Sequence, residues 1–182
     1  RYEYGEQTLK SETSLQFDAG FDLNYEHFSF GLSVFYNRMN NFIFYNKLQS
    51  LLGGDSLVNV DGEDLPTFRF NQHDASLAGL EASLDIHPHP LDWLHFENTF
   101  SWVRGRFDDP IDGSDNLPLI PAARLVSELK ADFRTAGKSF RNLYFKLEAD
   151  QTFAQKNAFT GFDTETMTNG YLLLNWGAGE DI

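Results

Sequence analysis

Apolar and polar residues alternate strictly from Ser14 onward. Leu15, Phe17, Ala19, Phe21, Leu23 and Tyr25 hold the odd positions, and Ser14, Gln16, Asp18, Gly20, Asp22 and Asn24 hold the even ones. A period of two sustained this far predicts a strand well beyond the ~5–6 residues usual in soluble sheets. Glu26-His27 breaks the pattern, which resumes on even positions with Phe28, Phe30, Leu32, Val34 and Tyr36. A two-residue hairpin then pairs Tyr25 with Phe28, Leu23 with Phe30, Phe21 with Leu32 and Ala19 with Val34. That register puts every apolar side chain on one face, whereas a slip of one residue would put the two strands' apolar sets on opposite faces.

The same grammar runs through the rest of the chain. A long polar connection, about Asn46–Asn71, carries Gly53-Gly54-Asp55 and Asp61-Gly62-Glu63-Asp64. A third strand is predicted over Asp74–Ile86, with Leu80, Ala82, Leu84 and Ile86 on its apolar face. His87-Pro88-His89-Pro90 is a turn, because its prolines remove ladder donors. Strand four spans Trp93–Phe107, with Leu94, Phe96, Phe100 and Trp102 opposite His95, Glu97, Thr99 and Ser101. A polar loop over Asp108–Pro121 leads into a fifth strand over Ala122–Arg134. A tight connection through Ala136-Gly137-Lys138 leads to the sixth, which carries Leu143, Phe145, Leu147, Ala149 and Phe153. A last polar loop, Ala154–Asn169, precedes a strand opening at Tyr171. No segment has a helical period. Connections alternate short and long, the layout of bacterial outer-membrane barrels with brief periplasmic turns and extended outer loops. The fold class expected is therefore all-β: an up-and-down antiparallel transmembrane β-barrel segment, about seven strands of a larger barrel.

Composition sharpens this picture. Aromatics make up 15% of the 182 residues and Phe supplies 18 of them, yet mean hydropathy is −0.40. That combination suits a wall with hydrocarbon on one side and water on the other. The face opposite the apolar one holds Asp18, Asp22, Glu97, Arg124, Glu128, Lys130, Asp132, Lys146, Glu148 and Asp150, too many charges for a second dry interface. Opposite-charge matching predicts the cross-strand pairs Lys130–Glu148 and Asp132–Lys146. Aromatics gather toward strand ends, Tyr25, Phe28 and Trp93 at one end and Tyr36, Trp102 and Tyr171 at the other, as rings at a headgroup boundary do. A soluble antiparallel sandwich also alternates, but its strands are shorter and its aromatics are not sorted in this way. No apolar run reaches the ~20 residues of a membrane helix. With no cysteine and a net charge of −13, disulfide scaffolds, thiolate metal sites and nucleic-acid partners are excluded.

Several segments resemble the barrel domain of a TonB-dependent outer-membrane receptor. They are Phe35-Tyr36-Asn37-Arg38-Met39-Asn40-Asn41-Phe42-Ile43, the Gly79-Leu80-Glu81 strand with its proline-containing turn, Leu117-Pro118-Leu119-Ile120-Pro121-Ala122-Ala123-Arg124, and Asn169-Gly170-Tyr171-Leu172-Leu173-Leu174-Asn175. The resemblance implies a barrel of ~22 strands with a plugged lumen in the bacterial cell outer membrane. On that reading residues 1–182 are a partial β-barrel domain without the plug domain and closing strands. The resemblance also implies import of a scarce nutrient (iron–siderophore, haem or cobalamin class) with energy from a TonB-type protein reached through the plug. The partners implied are outer-membrane lipid, that energy-transducing protein and a small-molecule nutrient. A passive porin or specific channel shares the wall, and a soluble all-β binding domain is the alternative from another class.

Candidate chemistry is sparse. His73, where an outer loop meets its strand, and Arg104 and Arg106, near the outer rim, are the ligand-binding candidates, the arginines facing an anionic siderophore or a lipopolysaccharide phosphate. His87 and His89 read as solvated turn residues. The acidic run Asp108–Asn116 lacks calcium-loop spacing. No metal site and no cofactor are expected. No nucleophile elbow, zinc-protease helix or phosphate loop occurs, so no catalytic residue and no enzyme activity are expected.

Overall fold

The computed structural model describes residues 1–48, 56–136, 140–161 and 165–181. These form strands β1 (Tyr2–Tyr4), β2 (Thr13–Tyr25), β3 (Phe28–Lys47), β4 (Leu57–Val60), β5 (Glu63–Ile86), β6 (Leu94–Ile111), β7 (Ser114–Asn116), β8 (Arg124–Ala136), β9 (Phe140–Thr152) and β10 (Tyr171–Asp181), with no helix among the described residues. The long strands lie side by side in chain order, β2-β3-β5-β6-β8-β9-β10, each antiparallel to the next. This is the up-and-down meander that the alternating short and long connections predict. Of the expected connection through Ala136-Gly137-Lys138, Gly137 and Lys138 lie outside the described residues, as do Gly53-Gly54-Asp55.

The first hairpin has the register read from parity: Tyr25 faces Phe28, Leu23 faces Phe30, Phe21 faces Leu32 and Ala19 faces Val34. From there one apolar face runs across the sheet. One row reads Tyr25, Phe28, Ile86, Phe96, Leu129, Leu147 and Trp176. Five of these side chains are bare, from Phe96 at 39% exposed to Trp176 at 82%, and Phe28 and Ile86 are half-buried. On β3, β5, β6 and β8 the apolar stretches are Phe28–Tyr36, Ala78–Ile86, Leu94–Trp102 and Leu125–Phe133. Each is about nine residues, the length that crosses hydrocarbon at a tilt. Two polar breaks in this face, Asn98 and Ser127, stand opposite each other and bond side chain to side chain at 2.6 Å. A third, Gln151 opposite Leu125, donates to the Thr152 and Tyr171 carbonyls at 2.8 and 2.9 Å.

The aromatic sorting holds for Tyr36 and Trp102, which end the apolar stretches of β3 and β6. It fails for Tyr171, which stands opposite Thr152, itself opposite Arg124, and so lies on the polar face.

Two strands outrun their predicted lengths. β5 starts at Glu63 instead of Asp74, and β6 continues to Ile111 instead of stopping at Phe107, whereas β3 ends at Lys47, about where the polar connection was expected to begin. Much of what reads as loop is therefore sheet rising beyond the apolar band. The cause is local turn chemistry. Asp61-Gly62 joins β4 to β5 and Asp112-Gly113 joins β6 to β7, and all four residues have positive φ. That is the requirement of tight hairpin turns, which Asp and Gly meet at little cost.

A β-bulge in β3 reorganises this extension. The pairing with β5 shifts between Met39 and Phe42, and Asn41 has φ 54°. Its N–H donates to Asp74 Oδ1 at 2.9 Å, and the next free amide, of Ile43, donates to Glu12 Oε2 at 2.9 Å. One extra residue reverses parity, so the side chains of β3 beyond the bulge exchange faces. Below it the polar face receives odd positions; above it Phe42 and Phe44 turn to that face and join Met39.

Residues 1–182 alone are expected to associate in plain buffer and to become monodisperse in detergent, checked by sedimentation, because β2 and β10 are open edges beside a bare apolar face. In the parent receptor, Asn41→Val is expected to cost about 1–2 kcal/mol in urea unfolding in lipid vesicles, with Asn41→Gly near neutral, since only the former is strained at positive φ. Equal stability of both variants would place the strain elsewhere.

Candidate functional site

The polar face is the side a barrel of this sheet turns to its lumen, and it changes character from one end to the other. In the membrane zone it is ionic. Asp85 stands opposite Glu97, Glu97 opposite Glu128 and Glu128 opposite Glu148, a row of carboxylates across β5, β6, β8 and β9. The adjacent row sets His95, Lys130 and Lys146 abreast. The pairs predicted from charge matching, Lys130–Glu148 and Asp132–Lys146, are therefore not formed: Lys130 faces Lys146 and Asp132 faces Tyr144.

Attraction runs diagonally and along the strand instead. Lys146 Nζ lies 2.8 Å from Glu128 Oε2 and 3.8 Å from Glu148, and Lys130 Nζ lies 2.9 Å from Asp132. Diagonal neighbours are within reach of a lysine, so the ladder need not place opposite charges face to face. Nearer the outer end, Arg124 holds Asp150 through Nε at 2.8 Å and Nη2 at 2.6 Å.

Toward the outer mouth the same face becomes apolar. Met39, Phe44, Ala75, Phe107, Ile111, Leu117 and Phe159 form a buried cluster, flanked by Phe42, Leu77 and Ile120. Phe159 is fully buried, with its ring centroid 6.0 Å from that of Phe107. The connections on either side of β8 and β9 fold inward to build it. Leu117 donates its N–H to the Gly105 carbonyl at 3.1 Å, and Asn116 Nδ2 donates to the Ala158 carbonyl at 3.1 Å. Gly105 makes the approach possible, because a Cβ there would lie 2.7 Å from Leu117 Cδ1.

His73 packs beside this cluster. It pairs with Phe42 across β3 and β5, and its ring lies 5.8 Å from Phe44 and 6.2 Å from Phe107. Beside the mouth, the segment before β2 and the extensions of β3 and β5 enclose a cleft of about 550 Å³ that includes Glu6, Lys10, Asn41, Arg69 and Gln72. Arg69 Nε is buried there without a hydrogen-bond partner. Thr8 donates to Glu6 through its hydroxyl at 2.7 Å and its N–H at 3.0 Å, which holds that carboxyl below its ordinary value. Arg69 falls in the stretch read as loop; the Asp61-Gly62 turn was the signal that it stands on a strand.

Arg104 and Arg106 do not share this face. Arg104 stands opposite Ala78 and Arg106 opposite Ser76, on the side of Trp102 and Phe100. They point away from the lumen, immediately beyond the apolar band. At the other end, the turn histidines stand against carboxylates: His87 Nε2 lies 2.8 Å from Asp85 and His89 Nδ1 lies 3.4 Å from Asp92.

The family model described as TonB dependent receptor-like, beta-barrel matches residues 1–181. Among solved structures, the chain is similar to "Copper transporter OprC", with TM-score 0.74 at 13% identity over 97% of this chain and 24% of that one. It is also similar to the ferric yersiniabactin uptake receptor FyuA from Yersinia pestis, with TM-score 0.61 at 15% identity over 93% and 22%. For the FrpB iron transporter from Neisseria meningitidis (F3-3 variant) the TM-score is 0.62 at 14% identity over 99% and 25%. The chain thus spans about a quarter of the length of these structures.

Replacing Lys146 by Gln is expected to destabilise the parent barrel by about 1–2 kcal/mol, because Glu128 and Glu148 would then face each other with no cation between them. Urea unfolding at low and high salt checks this, the deficit shrinking as salt screens the repulsion. A salt-independent deficit would count against the charge argument.

Proposed function

Because the chain belongs to the TonB-dependent receptor β-barrel family and is outer-membrane barrel wall, we propose that it is one part of a receptor that imports a scarce nutrient. Residues 1–182 are a partial barrel domain in this reading, and the plug and closing strands belong to other parts of the parent chain. The nutrient is of the iron–siderophore, haem or cobalamin class. Energy comes from a TonB-type protein through the plug. The observation that carries the reading is the division of one sheet face into an ionic wall along the membrane zone and a packed aromatic cluster at the outer mouth. A passive pore needs only the wall. A receptor also needs a shaped outer surface on which a large solute can bind before it moves inward.

His73 is the nutrient-side candidate, set on the lumen face among Phe44 and Phe107. The cleft at Arg69 supplies cationic and amide groups suited to an anionic chelate. The uptake roles printed for structural neighbours, a copper transporter, a ferric yersiniabactin receptor and an iron transporter, support a metal or metal-chelate cargo.

The test uses the native parent polypeptide in cells. It is expected to migrate differently on gels when boiled and unboiled, as a closed barrel does. Uptake of radiolabelled ferric siderophore, haem or cobalamin is expected to stop when a protonophore collapses the inner-membrane gradient. Uptake that persists under the protonophore would assign the wall to a passive channel. A soluble polypeptide indifferent to boiling would overturn the barrel reading as well.

A further inference from the structure

Arg104 stands just beyond the hydrocarbon on the outer wall, and among the described residues no carboxylate is within ion-pair distance of it. Its Nε and Nη1 are buried and have no hydrogen-bond partner. Burial first, and then the charge of Arg106, push the guanidinium below its ordinary value against the smaller attraction of Asp115. A guanidinium placed this way is short of an anion.

The surrounding carboxylates do not supply one. Asp108 is held by Arg38 through both guanidinium Nη atoms, and Asp74 lies 3.8 Å from Arg38. Asp115 lies 3.8 Å from Arg106 Nε, an ion pair too long for a hydrogen bond. Beside Arg104 is a cleft of about 430 Å³ lined by Ser76, Ala78, Trp102, Arg104, Arg106 and Asn157. Small side chains at 76 and 78 leave the room, and hydroxyl and amide groups from Ser76 and Asn157 add donors.

The position of the cleft selects its occupant. Arg104 is level with Ala78 and Tyr36, and below it on the same face come Trp102 and Phe100, flanked by Leu80, Ala82, Val34 and Leu32. A molecule with a phosphate in the cleft and acyl chains directly beneath it would meet guanidinium above and bare apolar wall below. The rim lies at the end of the long connections, the outer side of barrels with this layout, where the leaflet's anionic lipid carries phosphorylated sugars.

We infer that Arg104 and Arg106, with Ser76, Trp102 and Asn157, form a binding site on the outer wall for the phosphate of a lipopolysaccharide headgroup. The site rests on the outer-membrane barrel and on the facing of β6, not on which nutrient is imported. Arg104 supplies the buried donors and Arg106 the second cation, and Trp102 sets the depth of the headgroup.

The test uses the full-length receptor in detergent, titrated with lipopolysaccharide and with the same lipopolysaccharide after phosphatase treatment. Wild type is expected to prefer the phosphorylated form, and the double variant Arg104→Gln, Arg106→Gln to bind it at least about tenfold more weakly. Arg1→Gln, an exposed cation outside both clefts, is expected to bind as wild type does. Retention of the heat-dependent gel shift establishes that each variant is folded. Should the double variant fail that check, the single variant Arg104→Gln is measured in its place and is expected to show a smaller loss in the same direction. Equal binding of the dephosphorylated lipid, or wild-type affinity in a folded Arg104→Gln variant, would overturn the site. Displacement of the lipid by millimolar inorganic phosphate would show a soluble-anion site instead and overturn the lipid assignment.

Discussion

A backbone amide in hydrocarbon has no water to bond, so each one must find its partner in the neighbouring strand. That constraint fixes the antiparallel ladder first, and the side chains take whatever opposite positions the ladder allows. In the β8–β9 hairpin it sets Lys130 against Lys146 and Glu128 against Glu148, pairings that charge alone would avoid. The wall tolerates this because the lumen side is wet and a lysine reaches diagonally. On the other side each polar group must find a partner at close range. Asn98 and Ser127 stand directly opposite and bond each other, and Gln151 donates to the Thr152 and Tyr171 carbonyls.

What was legible in the sequence follows the same ordering. Where side-chain parity alone decides the register, as in β2 and β3, reading the sequence recovered each Cα partner it named, because one wrong step would have exposed polar groups to lipid across the whole hairpin. Where the choice lay between registers two residues apart, parity was silent and charge matching misled, since both registers keep the same faces. The strand extensions were missed for a different reason. Asp61-Gly62 and Asp112-Gly113 look like loop composition, yet their positive φ values make them the tips of hairpins, so the polar stretches around them are ladder and not loop.

The candidate ligand residues divide by parity as well. His73, Arg104 and Arg106 all lie near the outer rim in sequence, and distance along the chain suggested no difference among them. His73 is odd-numbered on β5 and faces the lumen with Ala75 and Phe107, whereas the arginines are even-numbered on β6 and share the face of Phe96, Phe100 and Trp102. The information was present in the sequence, because the alternation that placed Trp102 outward continues unbroken to Arg106.

The bulge at Asn41 shows how one strand can serve two environments. A strand of unbroken parity that crosses the membrane keeps one face greasy and one face polar along its whole length. Above the membrane that assignment has no purpose, since water lies on both sides and the mouth needs an apolar centre to hold its loops. Inserting one residue at the boundary reverses parity at the height where the solvent changes. Phe42 and Phe44, which an uninterrupted strand would turn outward, instead roof the lumen with Phe107 and Phe159. Asn at the bulge accepts the left-handed backbone, and Asp74 and Glu12 take up the displaced amides. The mouth therefore obtains its packed core from the same ladder that builds the wall, without ending the strand or adding another element.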